Sequence, residues 1–198
     1  MIEMTMAERK AFNKREKIIK SAIKIVNRRG YSGTTMEEVA AELLMTKGSL
    51  YYYFKNKSDL MFQCNSIVLL EAQEDLKRVL LDESLSIKKR LQEMVFIHIH
   101  YAIEENEVFN LIMRPEQLFS EEQLEEVLHL RDEYAAFFDK IIAKGIETKD
   151  FNTEDPIMLR MFILGAMNWI QQWYKPNGRL SKKEIQQRFW NYILKLLT

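Results

Sequence analysis

The chain has 198 residues, 47% of them hydrophobic, which suits one large domain or two small ones and excludes wholesale disorder. Six glycines and three prolines are too few for the turns of a sheet protein, and a single cysteine, Cys64, excludes a disulfide within the chain. The net charge is zero but unevenly spread: residues 1–57 hold 12 Lys and Arg against 6 Asp and Glu, so a basic head precedes an acidic body, as expected if the head alone meets a polyanion.

In chain order, Ile18, Ala22, Ile25 and Arg29 form one stripe at helical period, flanked by Ile19, Ile23 and Val26. They predict a helix from Lys14 to Arg29, with Gly30 as its C-terminal cap. The basic residues Arg9, Lys10, Lys14 and Arg15 read as a solvated face rather than a DNA-touching arm. Thr35 and Glu38 have capping-box spacing and open a short helix, Met36 to about Leu43. Thr46 caps the next, Lys47 to Phe54, and Ser58 caps a long one reaching about Leu80. Further helices are expected at Ile87–Glu105, Val108–Met113, Glu121–Glu147, Asp155–Tyr174 and Lys182–Leu197, about nine in all, with no candidate strand. The polar start of the chain shows no signal peptide, and the most apolar stretch, Pro156 to Tyr174, contains Arg160, Asn168, Gln171 and Gln172. We therefore expect no membrane span and a reducing, cytoplasmic setting.

Two short helices joined by a brief turn behind a longer helix form a helix-turn-helix, here Thr34 to Phe54. On the second short helix Leu50 and Phe54 lie about 40° apart and point inward together, while Tyr52 lies about 200° from Leu50 and must face outward. An exposed aromatic beside Lys47 suits packing on a nucleic-acid backbone. Gly48 permits close approach to DNA, Lys47 adds charge at a helix N-terminus, and Ser49 is placed to reach a base edge.

From Gly30 through Leu60 the chain resembles the DNA-binding domain of the tetracycline-repressor (TetR) family, and the run Thr46-Lys47-Gly48-Ser49-Leu50-Tyr51-Tyr52-Tyr53-Phe54-Lys55-Asn56-Lys57 matches its most characteristic segment. The resemblance implies an all-α regulator with a three-helix reading head over residues 1–57 and a ligand-binding and dimerisation domain over 58–198. It implies a homodimer on a palindromic double-stranded operator, usually a repressor released by a small ligand. Carried over, base or groove contacts fall to Lys47, Gly48 and Ser49, and phosphate contacts to Thr35, Thr46, Tyr51, Tyr52 and Lys57. The family commonly has Gly-Val where this chain has Leu44-Met45; a left-handed turn there costs a bulky residue about 1 kcal/mol.

The body offers Phe62, Phe96, Phe109, Met113, Tyr134, Phe138 and Phe162 as apolar lining for a ligand, with His98 and Arg114 as polar anchors. His98 and His100 stand two apart on a helix, pointing about 200° away from each other, so they do not share a metal, and neither metal nor cofactor is expected. Asp155–Tyr174 is apolar nearly all round and needs cover on two sides; with the last helix it supplies the expected dimer interface, Trp169, Trp173, Ile185, Phe189, Tyr192 and Ile193. The segments Leu130–Tyr134, Leu164–Trp169 and Trp173–Ser181 resemble a TetR subgroup that senses acyl-coenzyme A thioesters of fatty-acid or sterol catabolism, which implies such a ligand. A drug-responsive regulator of an efflux gene and a helical adaptor that touches no DNA are the alternatives. An enzyme is not expected, since no Gly-rich phosphate loop or nucleophile elbow is present.

Overall fold

Side chains close the N-termini of several helices, among them the two expected at Thr35 and Thr46. Thr35 and Glu38 make a reciprocal capping box, as do Ser181 and Glu184, and Thr46, Ser86 and Asp155 each accept a backbone N–H from three residues on. The computed structural model describes residues 5–110, 116 and 118–197, and every regular element among them is helical. The segments are α1 Met6–Arg29, α2 Met36–Glu42, α3 Lys47–Tyr51, α4 Lys57–Leu81, α5 Ile87–Glu104, α6 Asn106–Asn110, α7 Glu121–Glu147, α8 Pro156–Asn168, α9 Ile170–Trp173 and α10 Lys182–Leu196. Four differ from expectation. The α1 helix begins at Met6, eight residues before the expected start at Lys14. Asn56, not Ser58, caps α4 by accepting from Asp59 N at 2.8 Å, while the Ser58 hydroxyl donates to the Leu118 carbonyl at 2.5 Å. The α3 helix ends at Tyr51, so Tyr52 and Tyr53 stand in the turn after it. The expected helix from 155 to 174 is interrupted at Trp169, between α8 and α9.

The described chain folds into two compact units, the first drawn from 1–67 and 107–125, the second from 68–106 and 126–198. Residue 57, the expected boundary, only begins α4; the units part inside that helix. The segment from residue 107 belongs with the first unit because its polar backbone is answered there. Asn27 Oδ1 accepts from Glu107 N and Val108 N, and buried Asn65 donates to the Val108 carbonyl at 3.1 Å. Such pairing between distant positions has no local sequence signature.

In the first unit the α1 stripe Ile18, Ile19, Ala22, Ile25 and Val26 is buried together with Val39, Ala40, Leu50, Phe54, Leu60 and Met61. That core seats the short helices: α1 packs on α2 and α2 on α3. The turn between them is a Schellman motif. Met45 N–H bonds the Ala40 carbonyl at 2.8 Å and Leu44 N–H the Ala41 carbonyl at 3.1 Å, which forces Leu44 to φ +53°. The left-handed geometry that glycine favours is therefore adopted by leucine, whose side chain is 96% exposed.

In the second unit α5 packs against α8, α9 and α10, and α7 buries Leu130, Tyr134, Phe138, Ile141 and Ile142. Buried Gln73 donates to the Leu130 carbonyl at 2.8 Å. Lys182 joins α10 to α5 through Glu104 at 2.5 Å. Gly145 near the end of α7 lies against the Phe151 ring, where a Cβ would come within 2.0 Å of the ring.

Candidate nucleic-acid interface

Leu50 and Phe54 are buried beneath α3, which leaves Thr46, Lys47, Gly48 and Ser49 consecutively exposed on its other side. An open groove along this side is lined by Lys14, Leu44, Met45, Thr46, Gly48, Ser49, Tyr52 and Tyr53. Tyr52 is 80% exposed, as its helical angle predicts, and stands edge-on to Tyr53 with ring centres 5.1 Å apart. A Cβ built on Gly48 meets nothing within 4 Å, so packing inside the chain does not require a glycine there.

Polar groups at the ends of α2 and α3 are partly engaged already. Thr35 Oγ1 accepts from Glu38 N at 3.2 Å and lies 3.0 Å from Glu38 Oε2. Thr46 Oγ1 accepts from Ser49 N at 3.1 Å and lies 2.8 Å from the Ser49 hydroxyl. Lys47 Nζ pairs with Glu37 and lies 5.7 Å from the centre of the Tyr51 ring. Lys57 Nζ sits 4.0 Å over Tyr31, and its partial burial lowers its pKa, against the pull of Glu38. The expected DNA-contact set thus lies within one unit, with Thr35, Thr46, Lys47, Gly48, Ser49, Tyr51 and Tyr52 exposed and Lys57 half-buried.

Sequence reasoning missed Lys14, read as a solvated helix face, which lines the groove beside Thr46 and Gly48. It also missed the pairing of Lys47 with Glu37, ten residues apart on different helices. The side chains of Arg9 and Lys10 lie outside the described residues.

The expected ligand residues do not form one group. Phe62 and Phe109 are buried in the first unit, Phe62 edge-on to Phe119 at 5.9 Å. In the second unit His98, Tyr134 and Phe138 come together: His98 Nδ1 lies 3.0 Å from the Tyr134 hydroxyl, and the His98 and Phe138 rings meet edge-on. Burial pushes the His98 pKa down to about 4, with a hydrogen bond to Asn168 acting the other way, so the ring is neutral at physiological pH. Phe96 is only partly buried, its carbonyl accepting from Gln186 at 2.9 Å. Phe162 is 60% exposed on α8 among the described residues. Met113 and Arg114 lie outside the described residues. Gln171 was not singled out from sequence, yet it is buried with neither amide atom partnered among the described residues. Its neighbourhood in a mainly apolar helix was the available signal.

The expected dimer residues also divide. Trp169, Trp173 and Tyr192 are exposed and Phe189 is half-buried, but Ile185 and Ile193 are buried in their own unit and so serve its core. Ile157, Met158, Met161 and Phe162 are exposed on α8, extending the apolar face that ends at Trp169. Among the described residues there is no cluster of three potential metal ligands, and no helix is long and apolar enough to cross a membrane.

Residues 18–64 match the family described as bacterial regulatory proteins, tetR family, and residues 84–197 match the tetracyclin repressor-like C-terminal domain. The chain is 24% identical over 188 residues to the HTH-type transcriptional repressor KstR2 of Mycolicibacterium smegmatis, spanning 92% of this chain and 89% of that protein. A TetR/AcrR-family regulator from Thermobifida fusca superposes with TM-score 0.79 at 27% identity, covering 92% of this chain and 97% of that one. AibR, solved in complex with isovaleryl coenzyme A and operator DNA, superposes with TM-score 0.73 at 24% identity, covering 92% and 97%. With both halves matched by the corresponding domains, and an exposed helix-turn-helix face on the first of them, the chain belongs to the TetR family of DNA-binding transcriptional regulators.

Proposed function

We propose that this regulator is a homodimeric repressor that binds a palindromic operator and is released by a small hydrophobic ligand, with an acyl-coenzyme A thioester as the leading candidate. The observation that carries the DNA reading is the uninterrupted exposed run Thr46 to Ser49 on α3, flanked by Tyr52 and seated on a buried Leu50–Phe54 footing. An open helix face of this kind enters a major groove, and two copies related by a twofold axis read half-sites one helical turn apart. In this reading residues 1–57 read DNA and residues 58–198 bind ligand and partner. Lys47, Gly48 and Ser49 contact bases or the groove floor, and Thr35, Thr46, Tyr51, Tyr52 and Lys57 contact phosphates, joined by Lys14.

The apolar face of α8 with Trp169, Trp173 and Tyr192 supports a second copy of the chain as its cover, since patches of this kind mark interaction sites. Within the second unit, His98 and Tyr134 offer a neutral polar pair against Phe138, and Gln171 offers a buried amide in want of a partner. The ligand class draws its support from the similarity to AibR, solved with isovaleryl coenzyme A. Ligand binding then favours a state whose two heads no longer fit successive grooves.

Electrophoretic mobility shift on the promoter of the chain's own gene tests the reading. Binding that weakens on addition of coenzyme A thioesters, graded with acyl length, is the expected result. Undiminished binding at saturating thioester overturns the ligand, and absence of binding at low salt overturns the DNA function.

A further inference from the structure

The α2 helix carries three carboxylates, and each holds a different cation. Glu42 takes Arg28 through two bonds of 2.7 and 2.6 Å. Glu38 takes Arg29 at 2.5 Å while closing the capping box. Glu37 reaches across to α3 and pairs with Lys47. The first two cations come from α1 and serve to hold α1 to α2; the third is the lysine at the entrance of the exposed α3 face. Both members of the Glu37–Lys47 pair have side chains more than half exposed, 57% and 58%. They therefore stand at the surface that meets DNA, on the same DNA-binding reading as above.

A lone lysine on that surface would be a phosphate ligand. Neutralising one phosphate releases condensed counter-ion and contributes nearly one unit to the slope of log affinity against log salt. A lysine that keeps a carboxylate contributes no net charge and releases almost none. The carboxylate is also repelled by phosphate, so a pair retained in the complex must face neutral acceptors and donors. The ammonium has three N–H donors, of which Glu37 takes one, and the carboxylate has a second oxygen to offer. The major-groove edge of a G·C pair presents what such a unit lacks: the O6 and N7 acceptors of guanine for the ammonium and the N4 amino donor of cytosine for the carboxylate.

We infer that Glu37 and Lys47 act as one neutral donor–acceptor unit that reads a G·C base edge, with Glu37 withholding Lys47 from phosphate and so determining specificity. The hydrogen bond from Lys47 lowers the Glu37 pKa and the same bond raises that of Lys47, so the pair stays ionised across the working pH range. Nonspecific binding is thereby kept weak without loss of a base contact.

The test compares the full-length chain with Glu37→Gln, Lys47→Met and the double variant. Each is titrated by fluorescence anisotropy over a range of salt, on a random-sequence duplex and on a duplex the wild-type protein selects from a random pool. Both side chains are exposed, so the substitutions spare the fold. Glu37→Gln is expected to tighten random-duplex binding roughly fivefold or more at low salt and to steepen the salt slope by about one. Lys47→Met leaves Glu37 uncompensated and is expected to weaken random-duplex binding, whereas the double variant, neutral like the pair, is expected to keep the wild-type slope and to relax the preference at one G·C position of the selected site. In the Lys47→Met background, Glu37→Gln is expected to relieve that repulsion without steepening the slope beyond the wild-type value, because no ammonium is then freed for phosphate. A slope that falls by about one in the double variant places Lys47 on phosphate and overturns the inference. A double variant whose slope exceeds the wild-type value by as much as that of Glu37→Gln alone makes Glu37 a merely repulsive surface charge and overturns it equally. A wild-type protein that binds neither duplex at low salt overturns the DNA-binding reading itself, and the inference with it.

Discussion

Gly48→Ala separates the demands of the free chain from those of the complex. Gly48 is the second residue of α3, and an added Cβ meets nothing within 4 Å. Its backbone is not in the left-handed region, so alanine fits without strain. Helix propensity favours alanine over glycine by about 0.8–1 kcal/mol in a helix interior, and near the start of a five-residue helix about 0.5–1 kcal/mol is a fair expectation. For a chain of this size that gain raises the melting temperature by roughly 1–4 °C. On DNA the same methyl group stands in the path of a backbone or base edge, and displacing the helix by even part of a methyl diameter weakens several contacts at once. A loss of affinity of about tenfold or more, near 1.4 kcal/mol, is expected on the selected duplex. Differential scanning calorimetry and anisotropy on the same preparation read the two effects. Raised stability with undiminished affinity would refute close approach at Gly48, and lowered stability would refute the open space around it.

Leu44→Asn should stabilise the chain by up to about 1 kcal/mol, since asparagine tolerates a left-handed φ and the exposed leucine surrenders no burial; urea unfolding checks it, and a loss would mean the side chain has a partner. His98 predicts a pH dependence. Its pKa is depressed when folded, from 6.5 to about 4, so the unfolded chain binds more protons between those values. This contribution to stability is fully present above pH 6.5 and is lost as pH falls toward 4. In His98→Gln, which preserves a partner for Tyr134, stability should lose this part of its slope over that window; an unchanged slope would show that other groups carry it. Phe162→Glu should leave the melting of the monomer nearly unchanged, because the ring is exposed, yet weaken self-association at least about 100-fold by sedimentation. Self-association of unchanged strength would remove the α8 face from the interface.

The local signals were legible because each is complete within a few residues. Thr35 and Glu38 contain both halves of a cap, and the Ile18–Val26 stripe contains its own period. The same holds for the outward direction of Tyr52, which follows from helix geometry once Leu50 is assigned to the core. The left-handed turn at Leu44 was anticipated only through the family's glycine, since nothing in the leucine announces it.

Tertiary structure decided what depends on a partner distant in sequence. Ile185 and Ile193 share a helix face with apolar neighbours, and only packing shows that they fill their own unit while Tyr192 is left outside. Phe162 and Phe138 are chemically identical, yet one is exposed and the other buried, because a helix that is apolar all round gives no indication of which side its own chain covers. Asn65 draws the Val108 carbonyl into the first unit, and Glu37 claims Lys47, through bonds between residues whose separation along the chain leaves no periodic trace. Composition and period determine which segments are helices and where they begin; only the closing of those helices on one another determines which lysine is neutralised and which aromatic ring is left for a partner.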